Sequence, residues 1–380
     1  MSNPAQRATK LFVRTFGTKP DDLYQAPGRV NIMGEHTDYN EGLALPAAIN
    51  FHTVIAVKHR DDNLFRAVTT AFPGEIKQWH FGEEGPVAAG DDWSHYLKSV
   101  TAAMNQSGLR AKGLDLAIVG DVPLGAGLSS SAALEIAFGT AISYASQLNL
   151  SPIAIAQLAQ RGESQFMLLD CGMMDQIISA MAEPDHALLI DCLELESESV
   201  LLPEELSLIV IDLKQDRHGF TQQFEQRKQE CNQITKLLGL DSLRDLSLSL
   251  LTADKELLSD VQFRRARHVI TENQRTSNAA RALQQNNITR FSQLMAQSQA
   301  SMRDDFDIIT ADIDTLVSMI ANLIGDKGGV RMSDGCVLAL VNHDLTDEVI
   351  NLVENQYFKQ TGIEATIYLC SASGGAGRIG

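Results

Sequence analysis

The hydrophobic pattern at the start of the chain predicts a capped helix. Asn3 and Pro4 are typical first positions of a helix, Leu11 and Phe12 fall on one side of it, and Gly17 ends it. This segment lacks the apolar core of a signal peptide, and the longest apolar stretches of the chain are too short to cross a membrane. We therefore expect a soluble, cytoplasmic protein.

The first half of the chain alternates strand-like and helix-like segments. Hydrophobic runs predict strands at 51–58, 114–118 and 187–191. Helical patterns cover 93–104, 129–148 and 152–165, and a further helix begins near 172.

The second half has a different pattern. It contains strands at 206–213, 337–341 and 365–370 and helical patterns at 220–238, 258–285, 288–303, 311–324 and 346–360. This order is typical of α+β structure with helices on one face of a mostly antiparallel sheet. A polar, proline-containing joint at Leu202 to Glu205 divides the halves. For 380 residues we predict two domains, 1–203 and 204–380.

Composition removes several classes of function. The chain has 31 Lys and Arg against 48 Asp and Glu, a formal net charge of −17, which repels nucleic acids and anionic membranes. Its five cysteines are scattered, without a CxxC pair. This favours a reducing compartment over a disulfide framework or a structural zinc site.

A polar segment from Ala26 to Asn40 is the first candidate for chemistry. It carries Arg29, Glu35, His36 and Asp38 within a few residues, between glycines. Several fixed donors and acceptors so close together suit a sugar, whose hydroxyls need many hydrogen bonds at once. The composition of the segment is equally compatible with a polar surface turn.

A glycine-rich turn is the second candidate. Gly125 to Gly127 lead into three serines, Ser129, Ser130 and Ser131, at the start of a predicted helix. Free N–H groups at a helix N-terminus bind anions, and serine hydroxyls bind phosphate or Mg²⁺. The Walker A lysine is absent. The alternative is a packed loop with a serine cap.

Two acidic residues are the third candidate. Glu163 lies on a predicted helix that can face the glycine-rich turn, and Asp175 lies in the first turn of its own helix. Phosphoryl transfer needs a metal ligand and a group that orients or deprotonates the attacking hydroxyl. A plain N-terminal helix carboxylate would explain Asp175 equally well.

Together these segments resemble the galactokinases of the GHMP small-molecule kinase superfamily. GRVNIMGEHTDYNEG (28–42) is similar to the galactokinase signature, and DVPLGAGLSSSAAL (121–134) to the superfamily's phosphate loop. CGMMDQIISAM, HALLIDC and RMSDGCVLAL follow in the family's order. The resemblance covers essentially the whole chain.

The resemblance implies a two-domain α+β GHMP kinase fold with the active site in the cleft between the domains. It implies ATP- and Mg²⁺-dependent phosphorylation of the anomeric hydroxyl of α-D-galactose to galactose 1-phosphate, the first step of the Leloir pathway. The expected partners are galactose and MgATP, without nucleic acid or membrane, in a monomer or weak homo-oligomer.

The resemblance also implies residue roles. Asp175 would be the catalytic base or orienting carboxylate, and Arg29 would stabilise the phosphoryl group and keep Asp175 charged. The other expected site residues are Glu35, His36, Asp38, Gly172 and Phe224 for the sugar; Gly125, Ala126, Gly127, Leu128, Ser129, Ser130 and Ser131 for the nucleotide; and Ser131 with Glu163 for the metal.

Two departures from the family put activity in question. The family's third motif is a glycine-rich loop, but here Arg331 to Cys336 is four residues shorter and carries Asp334. Such a loop loses close backbone approach to a ligand and places a negative charge near the triphosphate. Phe224 stands where the family usually has a tyrosine that reaches the sugar.

Two alternatives therefore stay open. The first is a GHMP kinase for another sugar, and the second is a catalytically weak or inactive regulator that binds galactose or a nucleotide. Turnover on another sugar would favour the first alternative. Binding of galactose without release of ADP would favour the second.

Overall fold

The structure is a computed structural model that describes residues 3–84, 92–169 and 171–379. In these ranges, twelve strands form a sheet of eight and a sheet of four. The strands are β1 (Asp22–Met33), β2 (Leu43–His59), β3 (Leu64–Thr69), β4 (Lys77–His80), β5 (Leu114–Gly120), β6 (His186–Asp191), β7 (Glu196–Leu201), β8 (Leu206–Asp212), β9 (Gly328–Ser333), β10 (Cys336–Asn342), β11 (Thr366–Cys370) and β12 (Gly377–Ile379). The α-helices are α1 (Pro4–Phe16), α2 (Ser94–Gln106), α3 (Ser130–Ala145), α4 (Pro152–Gln165), α5 (Met174–Met181), α6 (Arg217–Leu238), α7 (Leu248–Ala253), α8 (Asp260–Gln284), α9 (Ile288–Ser301), α10 (Ala311–Ile324), α11 (Thr346–Asn351) and α12 (Phe358–Thr361).

The larger sheet has the strand order β12-β1-β2-β5-β3-β4. The long strand β2 pairs with β6 near its beginning and with β5 near its end, and β7 pairs with β6. Only the β3–β5 pairing is parallel among the pairings of this sheet that the structure describes. Helices α2 to α5 contribute to the main core against this sheet, and α1 packs in a separate cluster with β2 and β5.

The smaller sheet is antiparallel, in the order β11-β8-β10-β9. Helices α6, α8 and α10 pack on it in a second core. A third core joins the two sheets, since Val30 and Leu45 of the larger sheet share it with Val210 and Leu338 of the smaller one. The chain then returns through β12 to the larger sheet. The predicted division after residue 203 stays a prediction.

The first predicted helix is confirmed with its caps. The side chain of Asn3 accepts a hydrogen bond from the backbone N–H of Ala5, and Gly17 ends α1 in the left-handed conformation at φ 72°. The predicted helices and strands of the second half are also present, within a few residues of the expected bounds. In the described part of the chain, no helix is both long and apolar enough to cross a membrane.

Strand β1 was not predicted, although it carries the first half of the candidate sugar segment. Its polar residues and Gly28 hide the pattern of a strand, because β1 is covered on both sides and therefore does not alternate. Arg29 and Asn31 are buried in it. The segment from 26 to 40 is thus a buried strand followed by a turn, and the expectation of a surface turn applies to neither part.

Candidate active site

An ion pair between the buried Arg29 and the partly exposed Asp175 lies at the centre of the candidate site. Arg29 comes from β1, and Asp175 from the first turn of α5, where the helix dipole favours a negative charge. Arg29 Nε and Nη2 donate to the two carboxylate oxygens at 2.7 and 2.9 Å. Ser129 Oγ donates to Asp175 Oδ2 at 2.5 Å. This bidentate geometry fixes the orientation of the carboxylate.

The phosphate loop, residues 121–131, is anchored to this pair through its backbone. Arg29 Nη1 donates to the carbonyl of Gly127 at 2.7 Å, and the Arg29 N–H donates to the carbonyl of Leu128 at 3.1 Å. A Cβ on Gly28 would lie only 2.6 Å from the Leu128 carbonyl, so glycine permits this close packing. The Gly127 and Leu128 carbonyls both point toward Arg29 of β1. A trans peptide directs its C=O and its N–H to opposite sides, so the N–H groups of Leu128 and Ser129, which share these peptides, face away from β1.

The residues predicted to bind a sugar line one cavity of about 250 Å³. They are Glu35, His36, Asp38, Gly172 and Phe224, and Arg29, Asp175 and Asp334 line it with them. The structure therefore brings together every predicted sugar residue at the ion pair. Their individual roles remain predictions.

His36 presents a buried hydrogen-bonding group. Its backbone is left-handed at φ 63°, and its ring packs between Phe224 and Phe306 with centroid distances of 4.7 and 4.6 Å. Burial lowers the pKa of His36 well below its usual value, so the ring is neutral. Nδ1 lies 2.8 Å from the hydroxyl of Tyr39, whereas Nε2 is buried without a partner among the described residues. A ligand hydroxyl would satisfy Nε2.

Two carboxyl groups of the cavity are shifted toward their protonated forms. Burial, followed by the charge of Asp334, raises the pKa of Glu35 to about 7. Burial, followed by the charge of Asp175, raises the pKa of Asp38 to about 6. A Cβ on Gly172 would lie 2.1 Å from Asp38 Oδ2, so the glycine leaves space for this carboxyl.

The sugar turn, which we define as residues 34–42, is held by side chains from far along the chain. Glu272 on α8 accepts hydrogen bonds from the N–H groups of Gly34 and Glu35 at 3.3 and 3.5 Å. Asn273 accepts one from the N–H of Leu43 at 2.9 Å. The fully buried Arg331 donates to Glu35 Oε2 at 3.0 Å. One end of this turn is thus fixed by Glu272 and the other by Asn273.

The shortened third motif forms a tight hairpin between β9 and β10. Ser333 pairs with Cys336, so Asp334 and Gly335 are the two turn residues, with φ values of 47° and 79°. The Asp334 N–H donates to Glu35 Oε1 at 3.0 Å, and its carboxylate pairs with Arg29 at 2.8 Å. Burial opposes the charge of Arg29, but Asp175 and Asp334 outweigh it and raise the pKa of Arg29.

A larger groove of about 760 Å³ lies on the other side of the phosphate loop. Ser130 and Ser131 form one wall, and the aromatic rings of Phe72, Trp93 and Tyr96 line the groove with them. These rings were not identified from the sequence. Trp93 and Tyr96 lie three residues apart at the start of α2, but that spacing is equally typical of core residues.

Three buried side chains with oxygen atoms lie near Ser131, namely Glu135, Glu163 and Gln176. The Glu163 carboxylate accepts hydrogen bonds from Gln176 at 2.9 Å and from the Ser131 hydroxyl. Burial raises the pKa of Glu163 to about 7. Glu135, one turn after Ser131 on α3, is fully buried, and neither of its carboxylate oxygens has a hydrogen-bond partner of normal geometry among the described residues. The predicted metal residues Ser131 and Glu163 are therefore neighbours.

Comparison with protein families gives two matches. The family described as galactokinase galactose-binding signature matches residues 10–59. The family described as GHMP kinases N terminal domain matches residues 95–183. The first match contains the sugar turn, and the second contains the phosphate loop, Glu163 and Asp175.

Solved structures resemble the whole chain. The galactokinase of Lactococcus lactis complexed with galactose has 28% sequence identity and a TM-score of 0.93, covering 98% of this chain and 99% of that one. The mevalonate kinase of Methanococcus jannaschii has 16% identity and a TM-score of 0.62, covering 92% and 98% of the two chains. A D-glycero-D-manno-heptose 1-phosphate kinase from Bacteroides thetaiotaomicron has 15% identity and a TM-score of 0.60, covering 94% and 99%. The last two similarities concern the fold alone.

Proposed function

We propose that this chain, which matches the galactokinase galactose-binding signature and has the GHMP kinase fold, is a sugar kinase that transfers the γ-phosphoryl group of MgATP to the anomeric hydroxyl of α-D-galactose. The observation that carries this proposal is the Arg29–Asp175 pair. It borders the cavity that contains the sugar residues, and Ser129 and Gly127 tie it to the phosphate loop. A hydroxyl bound beside Asp175 would thus lie next to a phosphate bound on the loop.

In the proposed reaction, Asp175 orients the anomeric hydroxyl and accepts its proton. The hydroxyl oxygen forms a bond to the γ-phosphorus while the bond to the leaving oxygen of ADP breaks. Arg29 holds Asp175 through two hydrogen bonds and places positive charge beside the transferring group. Positioning and electrostatic stabilisation of this kind are the main contributions that a protein makes to phosphoryl transfer.

The sugar contacts follow from the lining of the cavity. We propose that His36 Nε2, Glu35 and Asp38 bind the ring hydroxyls. Phe224 contributes only its ring face, packed against His36. Glu35 and Asp38 have raised pKa values. Near neutral pH each can therefore accept a hydrogen bond when ionised or donate one when protonated.

The residues present fit a Mg²⁺ ion beside the phosphates. The Ser131 hydroxyl and the Glu163 carboxylate are oxygen donors of the kind that Mg²⁺ prefers, and they are hydrogen-bonded neighbours. No group of three or more acidic, His or Cys side chains that could hold a metal occurs in the described ranges. Mg²⁺ is usually bound through one or two carboxylates plus substrate phosphates. We propose that Ser131 and Glu163 hold the ion, which would neutralise phosphate charge.

The aromatic groove beside the phosphate loop is our proposed site for the adenine base. Phe72, Trp93 and Tyr96 offer ring faces for stacking, and Ser130 and Ser131 form the adjacent wall. In this arrangement the triphosphate follows the start of α3 from the groove to the Arg29–Asp175 pair. A place in the Leloir pathway and a location in the cytoplasm belong to the same proposal.

The direct test is release of ADP from MgATP with and without galactose. We expect galactose-dependent turnover that Asp175→Asn lowers by about 10²- to 10⁴-fold, the usual contribution of a general acid or base. Galactose binding, measured by calorimetry, should persist in the variant. Asp185→Asn removes an exposed carboxylate outside the cavity and serves as the control.

The same assay separates the two alternatives. ADP release that depends on another sugar but not on galactose would identify a GHMP kinase of different specificity. Galactose binding without any ADP release would favour a regulator. Asp334 is the feature of this structure that favours the weak or inactive alternative, because it places a second carboxylate on Arg29.

A further inference from the structure

Every nitrogen of the Arg29 guanidinium already has an anionic or carbonyl partner. Nε and Nη2 bind Asp175, and Nη1 binds both the carbonyl of Gly127 and the carboxylate of Asp334. Arg29 is buried, with 5% of its surface exposed, so water does not weaken these contacts. A phosphate that reaches Nη1 must therefore share that atom with Asp334 or separate it from Asp334.

The hairpin cannot withdraw Asp334 easily, because its turn has only two residues. Both have positive φ, as in the turns that close two-residue hairpins. Ser333 Oγ donates to the carbonyl of Asn31 at 3.0 Å, and the Asp334 N–H donates to Glu35 at 3.0 Å. Both contacts fasten the turn to β1 and the sugar turn. The carboxylate can move by side-chain rotation, whereas the backbone that carries it is fixed.

The hairpin also contacts the phosphate loop. Cys336 Sγ donates to the carbonyl of Ala126 at 3.0 Å, next to the Gly127 carbonyl that Arg29 binds. Asp334 is thus attached to the side of the loop at which Arg29 lies. In the proposed reaction the transferring phosphoryl group lies beside Arg29, so the terminal phosphate of the donor would come nearer to this carboxylate than the preceding phosphate would.

We propose that Asp334 is a specificity-determining residue that competes with the terminal phosphate of the donor for Arg29. Its charge weakens binding of a nucleoside triphosphate and affects a nucleoside diphosphate much less, so the protein discriminates between donor and product at this point. The inference rests on the proposed function, because it takes Arg29 as the group that meets the transferring phosphoryl.

The test compares Mg²⁺ complexes of ADP and of AMP-PNP, the ATP analogue with an imido bridge between its β and γ phosphates, by calorimetry. Asp334→Asn removes the charge and creates an Asn-Gly pair, a favoured sequence for this turn, so the hairpin should be retained. Asp185→Asn is the matched control, since Asp185 is also left-handed, at φ 63°, but exposed. Asp334→Glu keeps the charge.

We expect Asp334→Asn to bind AMP-PNP at least about tenfold more tightly and ADP less than about threefold more tightly, because a like charge beside a bound anion is strongly unfavourable. Asp185→Asn and Asp334→Glu should not tighten AMP-PNP binding. An unchanged AMP-PNP affinity, or equal gains for both nucleotides, would overturn the proposal.

Failure of this inference can be separated from failure of the proposed function. The ratio of the two nucleotide affinities needs no turnover, so it can be measured even in an inactive protein. A galactose-dependent kinase in which Asp334→Asn leaves that ratio unchanged would keep the function and remove the inference. A chain that binds neither nucleotide, as wild type or as Asp334→Asn, would contradict both.

Discussion

The sugar turn and the β9–β10 hairpin reach the same cavity but are held by opposite means. The sugar turn is long, and side chains from α8 together with the buried Arg331 fix it. The hairpin turn consists of Asp334 and Gly335 alone, and its own backbone conformation defines it. Residues far along the chain therefore determine most of the geometry of the sugar turn, whereas two adjacent residues determine most of the geometry of the hairpin.

This difference determines where each turn is sensitive to substitution. The sugar turn should fail when a distant contact such as Glu272 is removed, even though no residue of the turn changes. The hairpin should tolerate any substitution that keeps its left-handed conformation, so that its charge can be changed separately from its shape. The two turns meet at Glu35, which accepts hydrogen bonds from both Arg331 and Asp334.

The largest expected effect is that of Glu272→Ala. Glu272 is fully buried, binds Ser298 Oγ at 2.7 Å and Arg275 Nε at 2.7 Å, and receives the two N–H groups of the sugar turn. Its removal leaves Arg275 without its partner charge, which typically costs about 3–5 kcal/mol. We expect a fall of this size in the free energy of unfolding in urea, together with weaker galactose binding.

Glu272→Gln tests the positioning role without deleting the side chain. It keeps an oxygen for the two N–H groups, so it should recover part of the galactose affinity that Glu272→Ala loses. Glu256→Ala, at an exposed position, controls for loss of a glutamate from the same half of the chain. Wild-type galactose affinity and stability in Glu272→Ala would show that the sugar turn does not depend on α8.

Gly172→Ala should act on sugar binding rather than on folding. The new Cβ would meet Asp38 Oδ2 at 2.1 Å and its Cγ at 2.6 Å, so the side chain of Asp38 must rotate away. Loss of a charged hydrogen bond to the sugar is worth about 1.5–3 kcal/mol, roughly a ten- to hundredfold rise in the galactose Kd.

The matched control for this substitution is Gly377→Ala, where a Cβ has no neighbour within 4 Å. Both variants should unfold near the wild-type urea midpoint. If Gly172→Ala binds galactose as tightly as the control does, Asp38 does not contact the sugar.

Sequence patterns could predict the sugar turn and the phosphate loop because their glycines and polar residues are consecutive. Arg29, Glu35, His36 and Asp38 all fall within ten positions, and the structure places them in one cavity. The supports of the turn could not be predicted in this way. Glu272 and Asn273 lie in a helix whose periodicity explains the burial of Glu272 equally well. The contacts of both residues depend on how the two sheets pack together.

The sequence predicts the short length of the hairpin but not the contacts that the hairpin makes. Its shortening is visible in the sequence, and a negative charge near the triphosphate was expected from Asp334. The ion pair with Arg29 and the hydrogen bond to Glu35 depend on the register between β9 and β10 and on the unpredicted strand β1. The aromatic groove was missed because rings spaced along a helix usually indicate a core.

The smallest expected effect links the two turns through the proton of Glu35. Its pKa is raised from 4.5 to about 7 by burial and then by the charge of Asp334, so between these values the folded protein holds a proton that the unfolded chain releases. The stability contributed by that proton is present at low pH and is lost as the pH rises toward 7.

We expect the free energy of unfolding in urea to fall by on the order of 1–2 kcal/mol more between pH 5 and pH 8 in the wild type than in Glu35→Gln. Asp334→Asn should reduce this pH dependence only in part, because burial of Glu35 is the larger cause. An identical pH dependence in wild type and Glu35→Gln would mean that Glu35 is ionised throughout this range, and that the charge of Asp334 acts on Arg29 without reaching the sugar turn.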